Sequence, residues 1–150
     1  MAQPPFTFRL ERVRELREHA EGQAKEQLAA SLNQRVRGAA MLAQASDELA
    51  SAAASGRPAE GATRNAADLL AHERWMQALR REQETKALSL DRLDAEVDAR
   101  RRTLTDRGRD REVLERLKDR KAAEHAAEAA RRESAELDEI AQGMHQRRAA

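Results

Sequence analysis

The sequence predicts an all-α protein: two long helices forming an antiparallel coiled-coil hairpin, the second helix longer and projecting past the N-terminus. Three observations predict it. One Gly/Pro cluster, Ser55-Gly56-Arg57-Pro58-Ala59-Glu60-Gly61-Ala62-Thr63, separates two stretches whose glycines are isolated. Charged residues make up 37% of the 150 residues and aromatics only 2%, so a layered core lacks its usual bulk. The apolar residues that remain recur in steps of three, four and seven, and Ala, Glu, Arg and Leu in that phase mark a coiled coil or long helix. Disorder competes for so polar a chain. The helix-forming residues and their phase argue against it.

The first helix is expected over about 8–55, the turn over 56–63 and the second helix over 64–148, in a single coiled-coil domain covering 1–150. Pro4-Pro5 disfavours helix just upstream, and Thr7 is placed to cap the first helix through its hydroxyl. Leu10, Val13, Leu16, Ala20, Ala24, Leu28, Leu32, Ala39, Leu42, Leu49 and Ala53 then form one narrow stripe, suited to a single partner helix. Gly22 and Gly38 mark either close approach of that partner or tolerated weak points.

Thr63 is a candidate cap for the second helix. Leu69, Met76, Gln83, Leu90, Val97 and Leu104 follow at intervals of seven, interleaved with His72, Leu79, Lys86, Leu93 and Arg100. This is a heptad seam with polar interruptions, which cost stability and help fix register. Past Gly108, where the phase changes and a kink is expected, apolar residues thin out until Leu137, Ile140 and Met144.

The two lengths do not match. At 1.5 Å per residue the first helix spans about 70 Å and the second about 125 Å. Folded at 56–63, Leu49 is expected near Leu69 and Leu16 near Arg102. Either short extra helices around 64–75 take up the slack, or residues after about 110 project as a single exposed helix without an intrachain partner, supported only in part by pairs such as Glu112–Arg116 and Glu128–Arg132. Leu137, Ile140 and Met144 on that overhang read as a surface awaiting another protein.

The opening Phe6-Thr7-Phe8-Arg9-Leu10-Glu11-Arg12-Val13-Arg14-Glu15-Leu16-Arg17 is similar to the start of many FliJ-family proteins, small coiled-coil components of the bacterial flagellar type III export apparatus. Leu114-Glu115-Arg116-Leu117-Lys118-Asp119-Arg120 and Glu136-Leu137-Asp138-Glu139-Ile140-Ala141, with Arg147-Arg148 after them, extend the resemblance over nearly the whole chain. The resemblance implies a stalk like the central shaft of rotary ATPases. One end would insert into the export ATPase ring, promoting its assembly. The other would reach the cytoplasmic domain of the membrane export gate, and the protein would escort export chaperones.

On this sequence the ring contact falls on Leu137, Ile140 and Met144, together with Leu10 and Val13. The gate contact falls on Leu42, Leu49, Trp75 and Leu79. Relatives carry tyrosines on the first helix where this chain has Ala45 and Leu49. Injectisome stalk proteins share the architecture, which leaves flagellar and injectisome use both open.

Other signals bound the function. Net charge is +1, so nothing global draws the chain to nucleic acid or anionic lipid. Arg100 through Arg111 is locally basic, but Asp106, Asp110 and Glu112 interleave it and no aromatic offers a stacking platform. His19, His72, His125 and His145 have no metal-ligand spacing. No Gly-rich phosphate loop occurs, and nothing activates a serine. No cofactor and no enzymatic activity are expected.

Trp75 lies beside the heptad line, which favours an interface anchor over plain packing. Zero cysteines, no signal pattern and no apolar run of about 18 residues lead to the expectation of a cytoplasmic protein not inserted into the membrane. A hairpin stalk is expected to be a monomer, and the resemblance implies a peripheral place at the inner face of the cell membrane through the export apparatus. A nucleic-acid-associated coiled coil and a generic structural spacer remain the alternatives.

Overall fold

The computed structural model describes residues 5–56 and 65–149. Two helices account for them, α1 (Glu11–Ser55) and α2 (Ala66–Ala149), packed against each other as a hairpin, with no strand among the described residues. The chain divides into two compact units. The hairpin unit is Gly22–Thr105; the terminal unit joins Met1–Glu21 to Asp106–Ala150.

The start of α1 differs from the expected one. The Leu10 carbonyl accepts from the Arg14 N–H at 2.9 Å, and the Phe8 carbonyl accepts from the Glu11 N–H at 3.1 Å. Thr7 therefore does not cap the helix. Residues 5–8 are instead non-helical and lie against α2, where the Phe6 ring meets His125 at 5.7 Å. At α2 the Asn65 Oδ1 accepts the Asp68 N–H at 2.8 Å, satisfying an orphan donor of the first turn. The expected turn lies largely outside the described residues, as does its candidate cap Thr63.

In the hairpin unit, Arg35 pairs with Asp94 and the Gln83 amide donates to the Ser46 hydroxyl at 2.9 Å. Eleven residues forward on α1 thus match eleven back on α2, the signature of an antiparallel register. Arg100 to Gln27 and Gly56 to His72 fall on the same register. It is offset by about eleven residues from the expected pairing: Leu49 faces the level of Leu79, not Leu69. The physical reason is that α1 stops at Ser55 while α2, from Ala66, runs about one and a half turns before His72 meets Gly56.

The heptad on α2 is as expected from Met76 onward. His72, Leu79, Gln83, Lys86, Leu90, Leu93, Arg100 and Leu104 are half-buried, and Met76 and Val97 are buried. The stripe on α1 is in part the one expected: Ala24 is buried, and Ala20, Leu28, Leu32, Ala39, Leu42 and Leu49 are half-buried. Leu10, Val13, Leu16 and Ala53 are exposed, and the innermost line consists of the buried Ala24, Ser31, Ala45 and Ala52 with the half-buried Gly38, each seven residues from the next.

A column of small side chains on α1 thus faces the large column Met76, Gln83, Leu90, Val97 and Leu104. The helices come close at Gly38, where an added Cβ would meet Leu93 Cδ1 at 2.7 Å and Leu90 Cδ1 at 3.6 Å. Gly22 has nothing within 4 Å of that position, so of the two glycines only Gly38 marks close approach. The Ser31 hydroxyl is buried but satisfied by the Gln27 carbonyl at 3.1 Å.

In the terminal unit, ion pairs take over from apolar packing. Glu21 is buried and accepts from Arg111 at 2.5 Å, and Arg111 also pairs with Glu115 at 2.5 Å. Arg17 pairs with Asp110 at 3.2 Å and Lys118 with Glu11 at 2.8 Å. Among the described residues, contact between the N-terminal segment and α2 reaches His125, about fifteen residues further than expected from length alone. Gly108 lies inside the uninterrupted α2, its Cβ position facing open space.

Candidate partner-binding surfaces

No group of acidic, histidine or cysteine side chains among the described residues has the arrangement to hold a metal ion. The surfaces with functional character are apolar patches that the hairpin leaves uncovered. Three arise from specific features of the helices.

The first is the end of α2 in the terminal unit. Leu137, Ile140 and Met144 are 61%, 52% and 58% exposed and share one helical face at steps of three and four. All residues from 131 to 142 are exposed. The helix there is held by its own charges, such as Arg132 on Glu128 at 3.0 Å, the expected pair. The expected pair Glu112–Arg116 also forms, at 2.6 Å. A helix with no packed face draws little stability from propensity alone, so this segment gains most from a partner.

Leu10 and Val13, grouped with that patch on sequence grounds, are exposed but lie elsewhere. Leu10 lines a groove of about 820 Å³ with Pro5, Phe6, Phe8, Leu117 and His125. Leu137 is twenty residues beyond Leu117, about 30 Å along the helix. Leu10 therefore belongs to a surface separate from the Leu137–Ile140–Met144 face. The groove is bordered by charge: Lys121 pairs with Glu124 at 2.7 Å, which holds the Glu124 carboxyl below the usual carboxylate range. Beside it, hydrogen bonds from Lys118 and Arg14 lower Glu11 in the same way, and Glu21, then Glu115, raise Arg111.

The third surface lies where α2 extends past α1 in the hairpin unit. Trp75 is 50% exposed, beside the buried Met76 as its position off the heptad line predicts. Leu42, Leu49 and Leu79, grouped with Trp75 on sequence grounds, are half-buried in the seam between the helices. Leu69 and Leu70 are exposed nearby, and neither was expected as a surface residue. Leu69 reads as a heptad core position and becomes surface because it lies one turn beyond the last contact with α1. The only sequence signal for this was the mismatch in helix length.

The Arg100–Arg111 stretch is largely tied to acids of its own surroundings. Arg100 bonds Glu96 and Gln27, Arg101 pairs with Asp98 at 3.3 Å, and Arg109 pairs with Asp106 at 3.6 Å. Such pairing leaves less free positive charge for phosphate.

Fold and surfaces together define a helical-hairpin protein whose uncovered features are apolar helix faces. The family model described as flagellar FliJ protein matches residues 6–150. The chain belongs to the FliJ family, a flagellar, export-related family. No curated protein and no solved structure matches it. No helix of the described residues is long and apolar enough to cross a membrane.

Proposed function

We propose that this protein is a non-enzymatic stalk of the flagellar type III export apparatus, working through protein contacts in the cytoplasm at the inner face of the cell membrane. In this reading the end of α2 enters the export ATPase ring and favours its assembly. The start of α2, around Trp75, meets the cytoplasmic domain of the export gate, and the exposed helix faces serve the escort of export chaperones. The observation that carries the proposal is the uncovered Leu137–Ile140–Met144 face on a helical segment with no partner from α1. Membership of the family supplies the apparatus; the bare helix end supplies the place where a ring of subunits gains the most by gripping.

The test is the hydrolysis rate and ring formation of the cognate export ATPase with and without this protein. Stimulation at fewer stalks than ATPase subunits, with rings visible by electron microscopy, is the expected result. Stimulation retained in full by the Leu137→Asp, Ile140→Asp double variant would overturn the assignment of that face. Contact through this apolar face is also expected to persist at high salt. A phosphate-bound nucleic-acid complex weakens steeply under the same change.

A further inference from the structure

Trp75 does not stand alone on the surface. The His72 imidazole meets the indole edge-on, with ring centroids 5.8 Å apart and planes 67° apart. The same imidazole lies against Gly56, where a Cβ would collide with His72 Nε2 and Cε1. Gly56 follows the last residue of α1, and its N–H donates to the Ala52 carbonyl at 3.0 Å, which fixes its place. The end of α1 thus adjoins the imidazole, and the imidazole adjoins the indole, within the hairpin unit. Gly56 leaves room for the imidazole, and the half-buried imidazole supplies an edge against one side of the half-exposed indole.

We infer that His72, seated on Gly56, is a positioning residue that holds Trp75 ready as the anchor of the partner contact. This rests on the reading that Trp75 meets the cytoplasmic domain of the export gate. A large aromatic ring held before binding costs less to immobilise on contact, and edge-to-face aromatic pairs are a favoured arrangement. The inference accounts for a glycine at 56 and an aromatic side chain at 72 together. A larger residue at 56 drives the imidazole away, and a non-aromatic residue at 72 removes the edge the indole leans on. Because only the far end of the imidazole must move, Gly56→Ala displaces the ring without requiring the helices to part.

The chain's single tryptophan reports on its own site. The experiment compares the full-length protein with its His72→Ala, Gly56→Ala, His72→Phe and Trp75→Ala variants. The readouts are tryptophan anisotropy and acrylamide quenching in the free protein, and affinity for the purified gate domain. Far-UV circular dichroism at the wild-type level confirms the fold in each.

His72→Ala and Gly56→Ala are expected to lower the anisotropy, increase quenching and weaken gate binding by about two- to tenfold, the range set by freeing one large side chain. His72→Phe keeps an aromatic edge and is expected to restore both readouts. Wild-type mobility and affinity in His72→Ala and Gly56→Ala, with binding still lost in Trp75→Ala, would overturn the positioning role and leave the gate contact standing. Unchanged binding by Trp75→Ala would overturn the gate contact itself, and the inference with it.

Discussion

Gly38 and Leu93 meet so closely that a methyl group on the glycine would come within 2.7 Å of the leucine Cδ1. That approach sets the spacing of the helices in the hairpin unit, because the residues one heptad away on either side of Gly38, Ser31 and Ala45, are also small, and both are buried. Replacing a helical glycine by alanine gains about 1 kcal/mol where nothing obstructs it. Gly22→Ala is therefore expected to stabilise by about that amount. Gly38→Ala sets the same gain against overpacking of about 1–3 kcal/mol and is expected to be neutral or destabilising. Urea denaturation of the two variants in parallel checks the difference in sign, which differences in propensity alone do not produce.

The terminal unit is expected to respond to acid before the hairpin unit does. Glu11 is held below its ordinary value of 4.5 by hydrogen bonds from Lys118 and Arg14. A carboxylate whose folded pKa is depressed contributes stability above the ordinary value and loses it as pH falls through the depressed one. Amide exchange in the first turns of α1 should therefore accelerate below the ordinary value. Exchange around Val97, packed in the apolar seam, should change less. Lys118→Met is expected to reduce the acid dependence by removing the first cause of the shift.

Salt should act in the same direction on the same unit. Arg17–Asp110 and Arg14–Glu115 are partly exposed pairs at 3.2 and 4.0 Å, and screening shortens to about 3 Å at 1 M ionic strength. Fluorophores at positions 12 and 116 are expected to move apart on average as salt rises. A pair within the hairpin unit, at positions 40 and 92, serves as the reference and should hold its distance.

Asn65→Ala removes the acceptor for the Asp68 N–H. Loss of such a cap costs about 1 kcal/mol, seen as a lower midpoint in thermal unfolding. Asn65→Asp keeps the acceptor, adds a negative charge at the N-terminal end of the helix, and should match or exceed the wild type.

Leu137→Asp with Ile140→Asp alters only exposed side chains in the free protein. Surface changes of this kind shift stability by about 0.5 kcal/mol or less each. The double variant should melt like the wild type while losing stimulation of the export ATPase. Loss of both together would assign the face to folding and not to a partner.

Much of the fold was legible in the sequence. The Gly/Pro cluster between two helix-forming stretches dictated two helices. The column Met76, Gln83, Leu90, Val97 and Leu104 dictated which face of α2 is inside, because residues seven apart return to one side of a helix in a coiled coil. The exposed Trp75 followed from its place beside that column, and the Phe6-x-Phe8 start pointed to the family. Leu137, Ile140 and Met144 stood out as apolar residues in a stretch too polar to pack.

Tertiary structure alone decided the rest. The inner face of α1 is made of Ala24, Ser31, Gly38, Ala45 and Ala52, flanked by Leu28, Leu42 and Leu49. Small residues carry almost no hydrophobic signal, so Leu10, Val13 and Leu16 competed for that face in the sequence and lost it only when the helices met. The register depended on how far α2 runs before it meets the end of α1, and helical periodicity, which repeats every turn, does not encode an origin. For that reason the sequence named Leu69 as core and the structure exposed it. The same offset set His72 on Gly56, a contact between residues sixteen apart that no local pattern announces.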